Sequence, residues 1–274
     1  MSWNKRLLNT PIIGDITKKI ASMKVSNDAK NIAEHFTQFL KPELATTDEL
    51  RAEVFKIRHN VYCEELAFEE VKAEGQEKDE FDDHSIFSMI KHKPSSTYTS
   101  CVRVVRSSSE AELLPIEKYC LDSIQNESLH PSNFKRTEIC EISRLAVKAD
   151  FRRRKSDQFK GSAIGVISES TYSETELRCF PFIAIGLYMA AATLAIDTGI
   201  KHVYVMMEPR LARSMKFVGI NFHQLGDAID YHGLRAPYYI NPKIFMDNLT
   251  PGFKSLFKAI ENDICEQLSE LKLI

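Results

Sequence analysis

Apolar residues along the 274-residue chain recur at helical spacing in some stretches and at alternate positions in others, the pattern of a mixed α/β protein. After a short strand at 39–44, Leu50, Val54, Ile57 and Val61 mark the buried face of a helix that runs to about Glu64, and Thr46 with Glu49 has the spacing of a capping box at its start. Phe55, Arg58 and Tyr62 form the neighbouring stripe, so Arg58 belongs at the edge of the buried face. Two alternating runs, 85–91 and 98–105, joined by the turn-rich HKPSST, predict an antiparallel hairpin. In its second strand Thr99, Cys101, Arg103 and Val105 share a face, which requires a partner for Arg103 because burying a lone guanidinium is costly. Residues 107–137 read as a helical or irregular insertion, and 139–147 as the central strand.

Residues 179–196 carry no charge over 18 positions, a length that a membrane span could use. Pro181 suits a first helical turn and Gly199 a C-terminal cap, while Gly186 and the alanines at 190–192 permit close contact with a sheet, so a buried helix is expected. A strand HVYVMM, a helix from Pro209 to about Phe217 and two short strands near Phe222 and Tyr238 follow. At the C-terminal end Phe253, Phe257, Ile260, Ile264 and Leu271 share one helical stripe. The expected organisation is a basic arm at 1–26, one domain over 27–250 and an amphipathic helix at 251–274.

Composition narrows the class of function. A charged fraction of 27%, a hydrophobic fraction of 43% and a net charge of -2 exclude disorder and a globally nucleic-acid-binding surface. The six cysteines are scattered without a CxxC pair and read as reduced core thiols of a cytoplasmic protein; no metal site is expected. The arm carries Lys5, Arg6, Lys18, Lys19 and Lys24 against Asp15, and is either loosely packed or a contact for an acidic partner or an anionic inner-membrane surface.

The densest charge is in EGQEKDEFDDHS, residues 74–85, with six carboxylates and one lysine. Glu77, Asp79 and Asp82 could accept hydrogen bonds from a substrate ammonium, with Arg58, Arg103 or Arg144 holding a carboxylate; alternatively, acids and arginines pair with one another. Glu80 and Asp83 are expected to face water, and His84 is either a proton relay or an edge residue. In EISRLAV a regular strand puts Glu141 and Ser143 on one face and Arg144 on the other, so Glu141 and Arg144 can serve one cleft only if the strand bulges. Glu141 is the first candidate for a general base and Glu77 the second; a structural lock of Glu141 on an arginine is the alternative.

In that order, VFKIRHNVYCEE, EKDEFDDHS, CVRV and EISRLAV resemble the signature of the acyl-homoserine-lactone synthases and the long-chain N-acyl amino acid synthases, which have the GNAT acyltransferase fold. VYCEE, SRLAV, FRRR, MEPRLAR and DYHGLRAPY further resemble the relatives often encoded beside bacterial exosortase (PEP-CTERM) systems. The likeness covers about 46–242 and implies a central, mixed, mostly antiparallel twisted sheet with helices on both faces. It maps the functional positions of the autoinducer synthases onto Phe55, Arg58, Glu77, Asp79, Asp82, Arg103, Glu141 and Arg144. It also implies a bulged central strand whose backbone N–H groups near Leu145, Ala146 and Val147 polarise a thioester, and an acyl carrier protein as donor. Arg152, Arg153 and Arg154 then lie where a phosphopantetheine phosphate and an acidic carrier surface would arrive.

The chain departs from the family in two places. The tryptophan of the autoinducer synthases is replaced, with Phe68 nearby and only Trp3 elsewhere, which counts against homoserine lactone as product. FRRRKSDQFKGSAIG stands where acetyltransferases carry RxxGxG/A, which counts against acetyl-coenzyme A. The expected activity is transfer of a long-chain acyl group from acyl carrier protein, with acyl-coenzyme A as second donor, to an amino acid or similar amine, with no tightly bound cofactor. The alternatives are autoinducer synthesis and a non-catalytic module that binds acyl carrier protein or lipid.

Overall fold

The computed structural model describes residues 28–152 and 182–271. Helix α1 (Asp28–Phe39) leads into β1 (Leu40–Leu44), then α2 (Asp48–Arg58), the hairpin β2 (Ser85–His92) and β3 (Thr97–Arg106), and the short α3 (Pro115–Tyr119). The central β4 (Ile139–Val147) is followed by a single turn, α4 (Ala149–Arg152), by α5 (Ile183–Asp197), β5 (His202–Met207) and α6 (Pro209–Met215). Strands β6 (His223–Gln224), β7 (Ile229–Asp230) and β8 (Leu234–Ile240) precede α7 (Pro242–Asn248) and α8 (Pro251–Glu270).

The sheet runs β1-β2-β3-β4-β5-β8-β6, with β7 paired to β8. Among the described residues only β4 and β5 are parallel, and every other pair is antiparallel. On one face Val102, Val104, Cys140, Ile142, Val203 and Val205 pack with α1, α5 and α8 into the main core. Helix α5 is apolar on nearly every side because it lies between the sheet and α8. A Cβ on its Gly186 would stand 2.7 Å from the Phe36 ring, so only glycine permits this approach to α1. Among the described residues no helix is long and apolar enough to cross a membrane.

The opposite face is divided. Val54, Phe55 and Ile57 of α2 cover Phe87, Met89, Cys101 and Ala146, while the 107–137 insertion brings Leu114 and Ile116 over Val105, Ile139 and Tyr204. Between these two apolar clusters lies the charge.

Two backbone features place it there. Helix α2 is capped by Thr47, one residue later than the expected Thr46, with its side chain accepting from the Leu50 N–H at 3.3 Å. The helix then widens into a π-helical turn over His59–Glu65, which directs the Tyr62 hydroxyl to donate to the Leu145 carbonyl at 2.8 Å. Strand β4 does bulge: β3 pairs Cys101 with Ala146 but Arg103 with Ser143, leaving one extra residue in β4, and Arg144 has φ 49. A regular strand would send Arg144 to the main core; the left-handed residue returns it to the face that carries Arg103, Glu141 and Ser143.

Candidate active site

Arg58 of α2 and Arg103 of β3 are almost wholly enclosed, at 0% and 1% exposure, and both are engaged by the acidic segment. The Arg58 Nε donates to Glu77 and its Nη1 to Asp82 at 2.6 Å. The Arg103 Nη1 is shared by Asp79 and Asp82, the latter at 2.7 Å, and its Nε donates to the Ser143 hydroxyl at 3.1 Å. Arg144 faces Glu77 and Asp79 at 3.3 Å each and Glu69 at 3.2 Å. The acidic segment is folded to fit: the Asp79 N–H donates to the Asp82 carboxylate and the Glu77 N–H to the Phe55 carbonyl.

The titration behaviour follows from this packing. Burial works to lower the Arg58 pKa, but Glu77 and Asp82 outweigh it and hold the group above its ordinary value. For Asp79, burial works upward, and Arg103 with Arg144 and Arg58 brings the carboxyl below the usual range. These three acids and three arginines therefore form a charged network inside the protein, in which Arg58 is fully buried and Arg103, which also lines the cavity beside Glu141, has its Nε and Nη1 already engaged. Glu77 faces two arginines and is 3% exposed, which leaves it poorly placed to take a proton from a substrate.

Glu141 is different. Among the described residues its carboxylate accepts only from the Ile116 N–H, at 2.6 Å, and burial pushes its pKa up to about 8 despite that bond and the nearby Arg103 and Arg144. It lines a cavity of about 50 Å³, enough for a few waters or a small polar group, together with Tyr62, Ser143, Arg144, Tyr231 and Arg235. Phe68, near the position of the missing tryptophan, forms part of the wall, in contact with the His232 ring at 5.8 Å.

The cavity opens beside a gap in the sheet. Strands β4 and β5 pair only through residues 139–141 and 202–204, and then continue to Val147 and Met207 without further pairing. Arg144 and Leu145 also lack a partner on β3. Arg144 and Leu145 therefore have no strand partner on either side, while Ala146 and Val147 keep theirs on β3 and have none on β5.

Other expected positions lie away from this centre. Glu80 is exposed and bound to Lys118 and Tyr119, Asp83 is exposed, and His84 packs on Phe81 outside the cavity lining. The Arg152 side chain, Arg153, Arg154 and the arm at 1–26 fall outside the described residues. Conversely, Glu69, Tyr231, His232 and Arg235 line the cavity without having been singled out from sequence. The last three sit on the hairpin formed by β7 and β8, whose signal was DYHGLR: Gly233 at φ 93 allows the tight reversal closed by the Tyr231 N–H and the Gly233 carbonyl.

Residues 57–160 match the family model described as the acetyltransferase (GNAT) domain. Among solved structures, TofI in a ternary complex with an inhibitor and MTA is similar with a TM-score of 0.54 at 14% identity, over 74% of this chain and 91% of that one. The AHL synthase LasI gives 0.51 at 14% identity, over 77% and 96%. The CoA-dependent acyl-homoserine lactone synthase BjaI, with SAM and isopentyl-CoA, gives 0.50 at 16% identity, over 76% and 86%. No curated protein matches the sequence. The bulged β4, the parted strands and the matched segment give the chain a GNAT-type fold. Its structural neighbours include acyl-homoserine-lactone synthases.

Proposed function

We propose that the protein is an N-acyltransferase that moves a long-chain fatty acyl group from acyl carrier protein to the amino group of an amino acid or similar amine. The observation that carries this reading is Glu141: a buried carboxyl with elevated proton affinity, in a polar cavity, beside the opening between β4 and β5. An acyl thioester entering that opening presents its carbonyl to the N–H groups of the bulge, and an amine in the cavity attacks the carbonyl carbon. The C–N bond forms and the C–S bond breaks; the amine proton passes to Glu141, directly or through water, and the thiolate leaves to be protonated.

Carrier protein is preferred as donor because the chain lacks the RxxGxG/A loop of acetyltransferases. The coenzyme A dependence of BjaI makes acyl-coenzyme A the competing donor. The test is incubation of the purified protein with palmitoyl carrier protein or palmitoyl-coenzyme A and the twenty amino acids, read by mass spectrometry. An N-acyl amino acid that forms from the carrier protein and disappears in Glu141→Gln supports the proposal. No acylated product from either donor, with carrier-protein binding retained, would assign the protein as a binding module.

A further inference from the structure

We infer that Arg235 is the carboxylate-binding residue of the acceptor pocket, so that the acceptor is an amino acid with its carboxylate on Arg235 and its amine at Glu141. This deepens the acyl-transfer proposal and rests on it for the role of the amine. It also moves the carboxylate site away from the arginines that the sequence pointed to.

Arg58, Arg103 and Arg144 each face at least two carboxylates of the chain itself. Arg235 faces none: among the described residues its side chain makes no ion pair or hydrogen bond, and its guanidinium carbon lies 5.9 Å from the centre of the Phe68 ring. Its Nε is nevertheless enclosed and without an acceptor. A half-buried guanidinium with an unanswered donor is unfavourable unless something outside the chain supplies an anion, and a planar carboxylate matches its donor geometry. The Arg144 Nε, also enclosed without an acceptor, lines the same cavity.

The hairpin explains why no internal acid answers Arg235. Arg235 pairs with Ile229, and Asp230 pairs with Leu234, so the nearest carboxylate in the hairpin belongs to the opposite face. Of the two carboxyl groups in the cavity lining, Glu69 is engaged by Arg144 and His232, and burial raises the pKa of Glu141. Arg235 and Glu141 line one cavity together with Tyr62 and Tyr231, and so supply a cation and a carboxyl for the two ends of an amino acid.

The test pairs amino acids with their decarboxylated counterparts: glycine with methylamine, leucine with 3-methylbutylamine, phenylalanine with phenethylamine. The full chain and its Arg235→Gln and Arg235→Lys variants are compared. In acyl transfer, Arg235→Gln should lower kcat/KM for the preferred amino acid by about 10- to 100-fold, mainly through KM, and leave its amine counterpart unchanged. Arg235→Lys should retain part of the preference. An amino acid to amine ratio equal in the parent protein and Arg235→Gln would overturn the inference. Ligand-induced Tm shifts answer the question without chemistry: a shift with an amino acid that is absent with its amine and lost in Arg235→Gln supports the assignment. An equal shift in Arg235→Gln, or no shift with any probe, overturns it. Absence of acyl transfer with the binding pattern intact would instead sink the enzymatic proposal alone.

Discussion

Replacing Glu141 by Gln should make the protein more stable, by an amount that grows with pH. In the folded state the carboxyl keeps its proton up to about pH 8, whereas in the unfolded chain it titrates near its ordinary value of 4.5. Between those values the folded state binds the extra proton, so the stability of the parent protein falls as pH rises through that window and levels off above it. Each pH unit in the window contributes about 1.4 kcal/mol, giving about 3 kcal/mol at pH 7 and about 5 kcal/mol above pH 8, and almost nothing near pH 4. Glutamine is neutral throughout, has nearly the same shape, and its carbonyl can still accept from the Ile116 N–H, so the variant avoids this loss. Urea denaturation of both proteins from pH 4.5 to 9 measures the difference directly. A difference that stays flat with pH would show that Glu141 does not keep its proton in the folded state, and would remove both the stability argument and its role as a base of elevated pKa.

The same titration predicts that acyl transfer rises with pH through about 8 and then reaches a plateau; an acceptor whose amine loses its proton well below neutrality separates this limb from that of the substrate, and a limb that follows the acceptor would count against Glu141. Arg58→Met should destabilise by about 3–5 kcal/mol in urea denaturation, because Glu77 and Asp82 are left buried with a counter-ion removed; a loss below about 1 kcal/mol would mean that the network relaxes to water. Arg144→Gly should be more stable than Arg144→Ala by about 1 kcal/mol, since alanine at φ 49 retains the left-handed strain that glycine escapes; the reverse order in thermal denaturation would place the bulge elsewhere.

The periodicities carried much of the fold. The strand expected at 139–147 coincides with β4, the hairpin differs by a residue or two, and the alternation in β3 correctly placed Arg103 with Cys101 and Val105. The cap moved by one residue because two threonines adjoin, and only backbone direction decides which one closes the helix. The π-helical turn had no glycine or proline to announce it. The bulge was detectable only as a conflict, two residues needed in one cleft but assigned to opposite faces, because arginine has no preference for positive φ. The acidic segment was legible as charge but not as destination: whether its carboxylates meet arginines of the chain or a substrate depends on how far apart three elements finish. Arg235 was hidden for the complementary reason, since being unpaired is a property of its neighbours.

The bulge connects the two kinds of charge in this protein. Without the extra residue in β4, Arg144 would enter the main core, Glu77 and Asp79 would lose one of their cations, and the acidic segment would have less reason to close against the sheet. The same extra residue leaves Arg144 and Leu145 without partners on β3, at the level where β5 has already parted from β4. The distortion that completes the internal ion network is therefore also the one that leaves main-chain groups unpaired beside the gap between β4 and β5. The network engages Arg58 through Nε and Nη1 and Arg103 through Nη1, and so positions one wall of the cavity, while the recognition proposed above falls to Glu141 and Arg235 outside it. Substitutions within the network should accordingly reduce stability and activity together, whereas those at Glu141 and Arg235 should separate the two.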